Sequence, residues 1–389
     1  MIYEEKTIET IPVGPLGLIP LKSCAELGAK VNDWLVAWRK ERESEHKSTI
    51  AFSGYQRDSY IVEARTPGFG YGEGKGTIEE AIRGDDLYIM VDVCNYNLTY
   101  SLCGMTNRMS PDDHFQDLKR VIAAAAGKAR RINVIMPFLY ESRQHRRSGR
   151  ESLDCALALQ ELTNMGVENI ITFDAHDPRV QNAIPLKGFE TVQPIYQFIK
   201  YLLRAETELE IDSSHMMVIS PDEGGMSRAV YFANVLVLYI GMFYKRRDYT
   251  RIVDGRNPIV AHEFLGSSVE GKDVLIIDDM ISSGESMLDV AKELKRRKAR
   301  KVFVCVTFGL FTNGLVKFDE YYANGIIDRI LTTNLVYQSP ELLSRPYYIN
   351  VDMSKYIALI IDNLNHDDSL SELLDPAKRI HKLVDAYRR

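Results

Sequence analysis

The sequence predicts an α/β protein with two tandem domains, each a mostly parallel β-sheet flanked by helices. Three observations carry that expectation. Short β-rich apolar runs alternate with amphipathic stretches along most of the chain, a rhythm that calls for right-handed crossovers and a sheet covered on both faces. The same strand–helix order occurs in both halves. The 389 residues also exceed what one compact core usually holds.

Residues 87–93, 132–137, 170–173 and 216–219 are apolar, β-rich and short, and are predicted strands. Between them, residues 112–130, 151–165 and 192–203 carry apolar residues at helical spacing, with Pro111 near one start and Gly166 just past one end. In the second half, residues 235–240, 274–277 and 302–306 are predicted strands, and residues 287–298 and 354–365 predicted helices. The expected division is an N-terminal domain over 1–195, a second domain over 196–350 and a C-terminal helical extension over 351–389, whose residues 375–389 read as an amphipathic helix. The mixed charge run 39–48 is expected to be a solvated helix end or a surface insertion.

Composition excludes several classes. With 45% hydrophobic and 26% charged residues the chain is an ordinary globular sequence, and 48 Lys+Arg against 54 Asp+Glu give a net charge of −6. Overall charge therefore argues against nucleic acid or an anionic membrane as partner. Cys24, Cys94, Cys103, Cys155 and Cys305 are widely spaced and form no CxxC pair, which points away from a disulfide framework or a thiolate zinc site and towards a reducing cytoplasm. The acidic start offers no export signal. The longest charge-free run, residues 229–244, falls short of the roughly 20 apolar residues that span a bilayer. It is expected to be a helix end followed by a buried strand.

Open parallel sheets hold ligands at the carboxyl ends of their strands. The sharpest such signal is residues 274–286, where an apolar strand runs into Asp278 and Asp279 and then into Ser282, Ser283, Gly284, Glu285 and Ser286 at the opening of a helix. Amides of a Ser/Gly turn at a helix N-terminus form an anion cradle, and hydroxyls add donors. Paired carboxylates accept hydrogen bonds from ribose hydroxyls or hold Mg²⁺ through water. The plainer alternative is a helix-capping turn built from Asp279, Ser282 and Ser283. The glycine string 68–77 is not a P-loop, because Phe69 stands where the first glycine belongs and Gly76 where Ser or Thr must follow the lysine. A flexible loop or hairpin is expected there.

The 274–286 string resembles the phosphoribosyl-pyrophosphate motif of the type I phosphoribosyltransferase fold. Four further segments occur in the order found in ribose-phosphate pyrophosphokinases, and the resemblance covers most of residues 60–370. Phe69 and Glu73, followed by residues 82–90, resemble the adenine-contacting loop of that family and its next strand. Residues 136–147, with Arg143 and Gln144, resemble its ATP-binding strand and loop. Residues 172–176 end on His176, which resembles the catalytic histidine of the family, and residues 219–225, with Asp222, resemble its pyrophosphate loop. Lys245, Arg246 and Arg247 resemble its mobile catalytic loop.

The resemblance implies two phosphoribosyltransferase-like domains. It implies ATP and ribose 5-phosphate as substrates, and Mg²⁺ near His176 and Asp222. It also implies catalytic roles for His176, Lys245 and Arg247, and a homo-oligomer, dimer or hexamer, in which the Phe69 loop reaches a neighbouring subunit. The chemistry agrees, since diphosphoryl transfer needs positioning and neutralised phosphate charge more than covalent help. Lys245 and Arg247 are expected on a polar stretch directly after a strand, with the Arg246 side chain turned the other way. Three departures from the family pattern stand out: Glu285 inside the phosphate turn, Tyr71 where Asp is usual, and His145 after Arg143 and Gln144 where Asp is usual. Two rival readings are a transferase that consumes phosphoribosyl pyrophosphate and a non-catalytic regulatory homologue.

Overall fold

The computed structural model describes residues 10–44, 54–247 and 259–388. The chain divides into two compact units, one of Met1–Pro194, Asn334–Tyr337 and Asp352–Asp375, the other of Ile195–Thr333, Gln338–Val351 and Pro376–Arg389. The C-terminal residues are thus shared between the units.

In chain order the first unit runs β1 (Leu16–Pro20), α1 (Ala25–Ser44), β2 (Ala64–Arg65), β3 (Thr77–Ile78), β4 (Asp86–Met90), β5 (Thr99–Leu102), β6 (Met105–Arg108), α2 (Pro111–Ala125), β7 (Arg131–Ile135), α3 (Asp154–Asn164), β8 (Val167–Phe173) and β9 (Gly188–Val192). Strands β1, β4, β7, β8 and β9 form one parallel sheet in that order. Every residue of β4 is buried, the signature of a strand covered on both faces. Helix α2 starts where the sequence predicts, because Ser110 and Asp113 close a capping box and Pro111 occupies the first turn. The glycine string forms a loop, as expected, closed by a bridge between Gly68 and Gly74.

Helices α9 (Ser354–Asn365) and α10 (Ser371–Leu374) also belong to this unit, and α9 corrects one expectation. The charge run 39–48 is not all solvated. Arg39 is 1% exposed and donates to Asn365 at 2.7 Å and to Asp362 at 3.4 Å, while Arg42 also pairs with Asp362. Asn365 in turn donates to Asp86 at 2.9 Å, and Asp86 accepts a fork from Arg131 at 2.7 and 2.8 Å. A buried guanidinium persists only when it is paired in this way. Part of the charge run is therefore a buried polar spine that fixes α1 to α9 and to the sheet. Residues 45–53 lie outside the described residues.

The second unit runs α4 (Ile195–Ala205), β10 (Met216–Ser220), α5 (Met226–Leu236), β11 (Tyr239–Arg247), β12 (Ile259–Leu265), β13 (Asp273–Ile281), α6 (Glu285–Arg296), β14 (Val302–Gly309), α7 (Val316–Ala323), β15 (Arg329–Thr333), α8 (Pro340–Leu343), β16 (Tyr348–Val351) and α11 (Ala377–Tyr387). Its seven strands are ordered β12-β11-β10-β13-β14-β15-β16, and all pairs are parallel except β11 with β12. The chain leaves β10 towards β11 on one side and returns to β13 on the other. The gap between β10 and β13 is therefore the topological switch point, where such sheets open a ligand crevice.

One boundary differs from the sequence reading. The strand expected at 235–240 begins at Tyr239, because α5 continues to Leu236 and Val237 turns the chain at φ 56°. A left-handed valine is rare, and the apolar run carries no glycine or proline to mark the break. Lys245, Arg246 and Arg247 are consequently the last residues of β11 and not a stretch beyond it. Lys245 stands opposite His262 and Arg246 opposite Ala261, with a register shift before Arg247. Their side chains lie outside the described residues. Among the described residues, no helix is long and apolar enough to cross a membrane.

Candidate functional site

In the second unit, the loops after β10 and β13 leave adjacent strands at the switch point. After β10, the Ser220 hydroxyl donates to the Asp222 carbonyl at 2.7 Å, and the Asp222 Oδ1 accepts from the Gly224 and Gly225 amides at 2.9 and 3.2 Å. This turn holds its carboxylate with its own backbone. After the apolar core of β13, the Asp279 amide donates to Asp278 Oδ1 at 2.9 Å, and Asp279 lies 3.5 Å from the guanidinium of the buried Arg228 on α5. Burial pushes the Asp278 carboxyl well above the usual range, and the neighbouring charges of Asp279 and Asp222 push it further. Arg228 is a buried cation beside Asp279. The cluster is suited to accepting O–H donors such as a sugar diol, or a hydrated hard cation.

The turn that follows opens α6 on a glycine. The N-cap of α6 is Gly284, at φ 81°, with no side-chain cap hydrogen bond. The amide of Glu285, first in α6, reaches the Ser283 hydroxyl at 3.5 Å. A Cβ on Gly284 would lie 2.2 Å from Cζ of Phe318, a core ring, so this place accepts only glycine. Ser282 and Ser283 are half-buried beside it, and Ser286 is exposed on the first turn of α6. Glu285, the residue out of place in the family pattern, pairs with Lys317 on α7 at 2.9 Å, which holds its carboxyl below the ordinary value. Its charge is met by a cation of its own.

In the first unit, Phe69 and Glu73 sit on the glycine loop, which is closed by the Phe69 amide donating to the Glu73 carbonyl at 2.6 Å. The Phe69 and Tyr71 rings are exposed and nearly parallel, 5.8 Å apart at 8°. Such a pair offers a flat apolar face to a base. Arg143 is exposed after β7, while Gln144 donates its Nε2 to the Ser152 carbonyl at 2.8 Å. His176 follows β8 through Asp174, a buried residue at φ 39°. The structure brings His145 against His176, with ring centroids 5.3 Å apart.

Sequence reasoning passes over Arg228 and the buried Asp92 and meets His145 only as an oddity. Arg228 carries a signal, being the one charged residue of a mostly apolar helical run, and such a residue must be paired if buried. Asp92 follows the apolar run of β4. It is buried, accepts from the Cys94 and Tyr337 amides at 2.8 and 2.7 Å, and has its carboxyl pushed by burial up to about 7 despite those donors. His145 was visible only as a departure from a pattern.

Two mostly parallel units, one with carboxylates and a glycine turn at its switch point, define a chain of phosphoribosyltransferase type. Comparison with known proteins narrows this. The model for the N-terminal domain of ribose phosphate pyrophosphokinase matches residues 16–166, and that for the phosphoribosyl transferase domain matches residues 189–345. The ribose-phosphate pyrophosphokinase of Mycoplasma genitalium is 30% identical over 275 residues, which cover 69% of this chain and 74% of that protein. That of Vibrio parahaemolyticus is 27% identical over 319 residues, covering 81% and 92%. The chain belongs to the ribose-phosphate pyrophosphokinase family. The crystal structure of phosphoribosylpyrophosphate synthetase from Mycobacterium smegmatis shares the fold, with a TM-score of 0.70 at 19% identity over 90% of this chain and 99% of that one.

Proposed function

We propose that this chain is a ribose-phosphate diphosphokinase, which transfers the β,γ-diphosphoryl group of ATP to the 1-hydroxyl of ribose 5-phosphate and yields phosphoribosyl pyrophosphate and AMP. The observation that carries the reading is the switch-point site of the second unit, where Asp278 and Asp279 stand before a turn that only glycine can close. Asp278 and Asp279 accept the ribose hydroxyls. Ser282, Ser283, Gly284 and Ser286 cradle the 5-phosphate at the start of α6. Phe69 stacks on adenine, Glu73 and Gln144 meet its polar edge, and Arg143 spans the base and phosphates with its planar donor fork.

His176, Lys245 and Arg247 are the proposed catalytic residues, the two cations stabilising charge that develops on the transferring phosphates. The family's metal is proposed to be Mg²⁺. The oxygen-rich set around Asp222 fits a hard cation, and Asp222 and His176 are the residues assigned to it. When bound, Mg²⁺ would neutralise phosphate charge. The protein's own residues orient the sugar hydroxyl and the triphosphate for in-line attack. A cytoplasmic homo-oligomer, dimer or hexamer, is proposed as the working form, consistent with the exposed Phe69 and Tyr71 rings.

The test is incubation with ATP, Mg²⁺ and ribose 5-phosphate, with AMP and phosphoribosyl pyrophosphate measured together. Stoichiometric release of both supports the reading. Consumption of phosphoribosyl pyrophosphate with a free base, and no AMP from ATP, would replace it with a phosphoribosyltransferase.

A further inference from the structure

We propose that Lys317 is a positioning residue of the sugar-phosphate site, whose ammonium draws the Glu285 carboxylate off the start of α6 and so leaves that helix pole to the 5-phosphate of ribose 5-phosphate. The inference rests on the reading of residues 278–286 as the ribose 5-phosphate site. Glu285 is the first residue of α6. The first amides of a helix have no partner within it and the pole there is positive, so a carboxylate in that turn is drawn to the same place as a phosphate. Glu285 is thus an anion of the chain's own at the mouth of the cradle, able to repel a dianion or to take its place.

That carboxylate is turned towards α7. Its Oε1 accepts from Lys317 Nζ at 2.9 Å, and the two groups favour each other's charged forms, with the Glu285 carboxyl lowered and the Lys317 ammonium raised. Both side chains are exposed, and an exposed ion pair is ordinarily of little consequence. Two features set this pair apart. The residue after Lys317 is Phe318, the ring that closes on Gly284, so consecutive residues of α7 meet consecutive residues of the turn. Phe318 is buried and fixes the backbone from which Lys317 reaches. Lys317 also lies in the first turn of α7, where a cation opposes that helix's own dipole. A lysine placed against its local preference meets a glutamate placed against the needs of a phosphate turn, and each offsets the other.

The experiment measures equilibrium binding of ribose 5-phosphate to the full-length protein by titration calorimetry, with initial-rate AMP release beside it. A unit charge about 6 Å from a dianion changes affinity about tenfold at the dielectric of water. Lys317→Met is therefore expected to weaken ribose 5-phosphate binding about tenfold at low salt and to lose most of that effect in about 0.5 M KCl. The KM for ribose 5-phosphate should rise by the same factor while kcat changes much less. Lys317→Arg, which keeps the charge, should stay within about threefold of wild type. Adding Glu285→Gln to Lys317→Met should restore affinity to within about twofold of wild type, because the anion that had to be held aside is gone. That rescue separates the role from a direct contact, since a lysine that bound the phosphate itself would be missed whether or not residue 285 carried a charge. Unchanged affinity in Lys317→Met, an equal loss in Lys317→Met and in the double variant, or no binding of ribose 5-phosphate by the wild type would each overturn the inference. AMP release by the wild type together with unchanged affinity in Lys317→Met would overturn it and leave the proposed function standing. A chain that released no AMP, yet lost ribose 5-phosphate affinity in Lys317→Met and regained it in the double variant, would do the reverse.

Discussion

Replacing Gly284 by alanine tests the sugar-phosphate turn at the atom that defines it. The new Cβ would lie 2.2 Å from Phe318 Cζ and 3.1 Å from both Cε atoms, about 1.2 Å short of ordinary contact at the closest point. Phe318 has nowhere to go, since it is 1% exposed and packs edge-on against Phe311 at 5.0 Å. The turn must yield instead. Holding alanine at φ 81° costs about 1–2 kcal/mol. The steric overlap adds about 1–3 kcal/mol, so the variant starts about 2–5 kcal/mol from the wild-type turn. A displacement of about 1 Å at a positioning element costs on the order of a hundredfold in rate. We therefore expect kcat/KM for ribose 5-phosphate to fall about a hundredfold, with the KM for ATP changing much less. Initial-rate AMP release at varied sugar phosphate measures it. The double variant Gly284→Ala with Phe318→Leu should recover the steric part and retain a loss of about tenfold, the left-handed part alone. Wild-type saturation by ribose 5-phosphate in Gly284→Ala would refute the assignment of this turn.

Asp279→Ala should raise the KM for ribose 5-phosphate, because it removes a diol acceptor and an ion-pair partner of the buried Arg228; unchanged saturation in initial-rate assays would remove Asp279 from the sugar site. Lys245→Ala is expected to lower kcat by about a hundredfold with a smaller change in the KM for ATP, as for loss of one preorganised donor. Arg246→Ala is expected to matter less, and equal losses at Lys245, Arg246 and Arg247 in the same assay would indicate a diffuse basic patch instead. Asp362 predicts acid sensitivity of the first unit. Burial raises its carboxyl, but Arg42 and Arg39 outweigh this and bring it down to about 2. A folded value below the unfolded one stabilises the protein above about pH 4, by about 2–3 kcal/mol, and this is lost as pH falls from about 4 to 2. Urea midpoints read by Trp34 and Trp38, both on α1, should show that fall in the wild type and a flatter profile in Asp362→Asn; parallel profiles would show that Asp362 does not carry it.

The sequence by itself determined the α/β class and the strand–turn–helix at 274–286, because both depend on local periodicity and on residues adjacent in the chain. Helix α9 falls where its apolar spacing places it, and α2 where its capping residues do. Strands β1 and β9 left little trace: they are five residues each, and β9 carries Glu190 and is only half-buried along most of its length. The end of α5 was hidden because helix end and strand share one apolar run. The tertiary structure alone decided which charges are buried. Arg39 looked like part of a solvated run until Asp362 and Asn365, more than 320 positions away, met it in the core. Gly284 became obligatory through Phe318. Burial, a steric limit and a protonation state are properties of what surrounds an atom in space, and these surroundings are assembled from segments whose pairing no local pattern encodes.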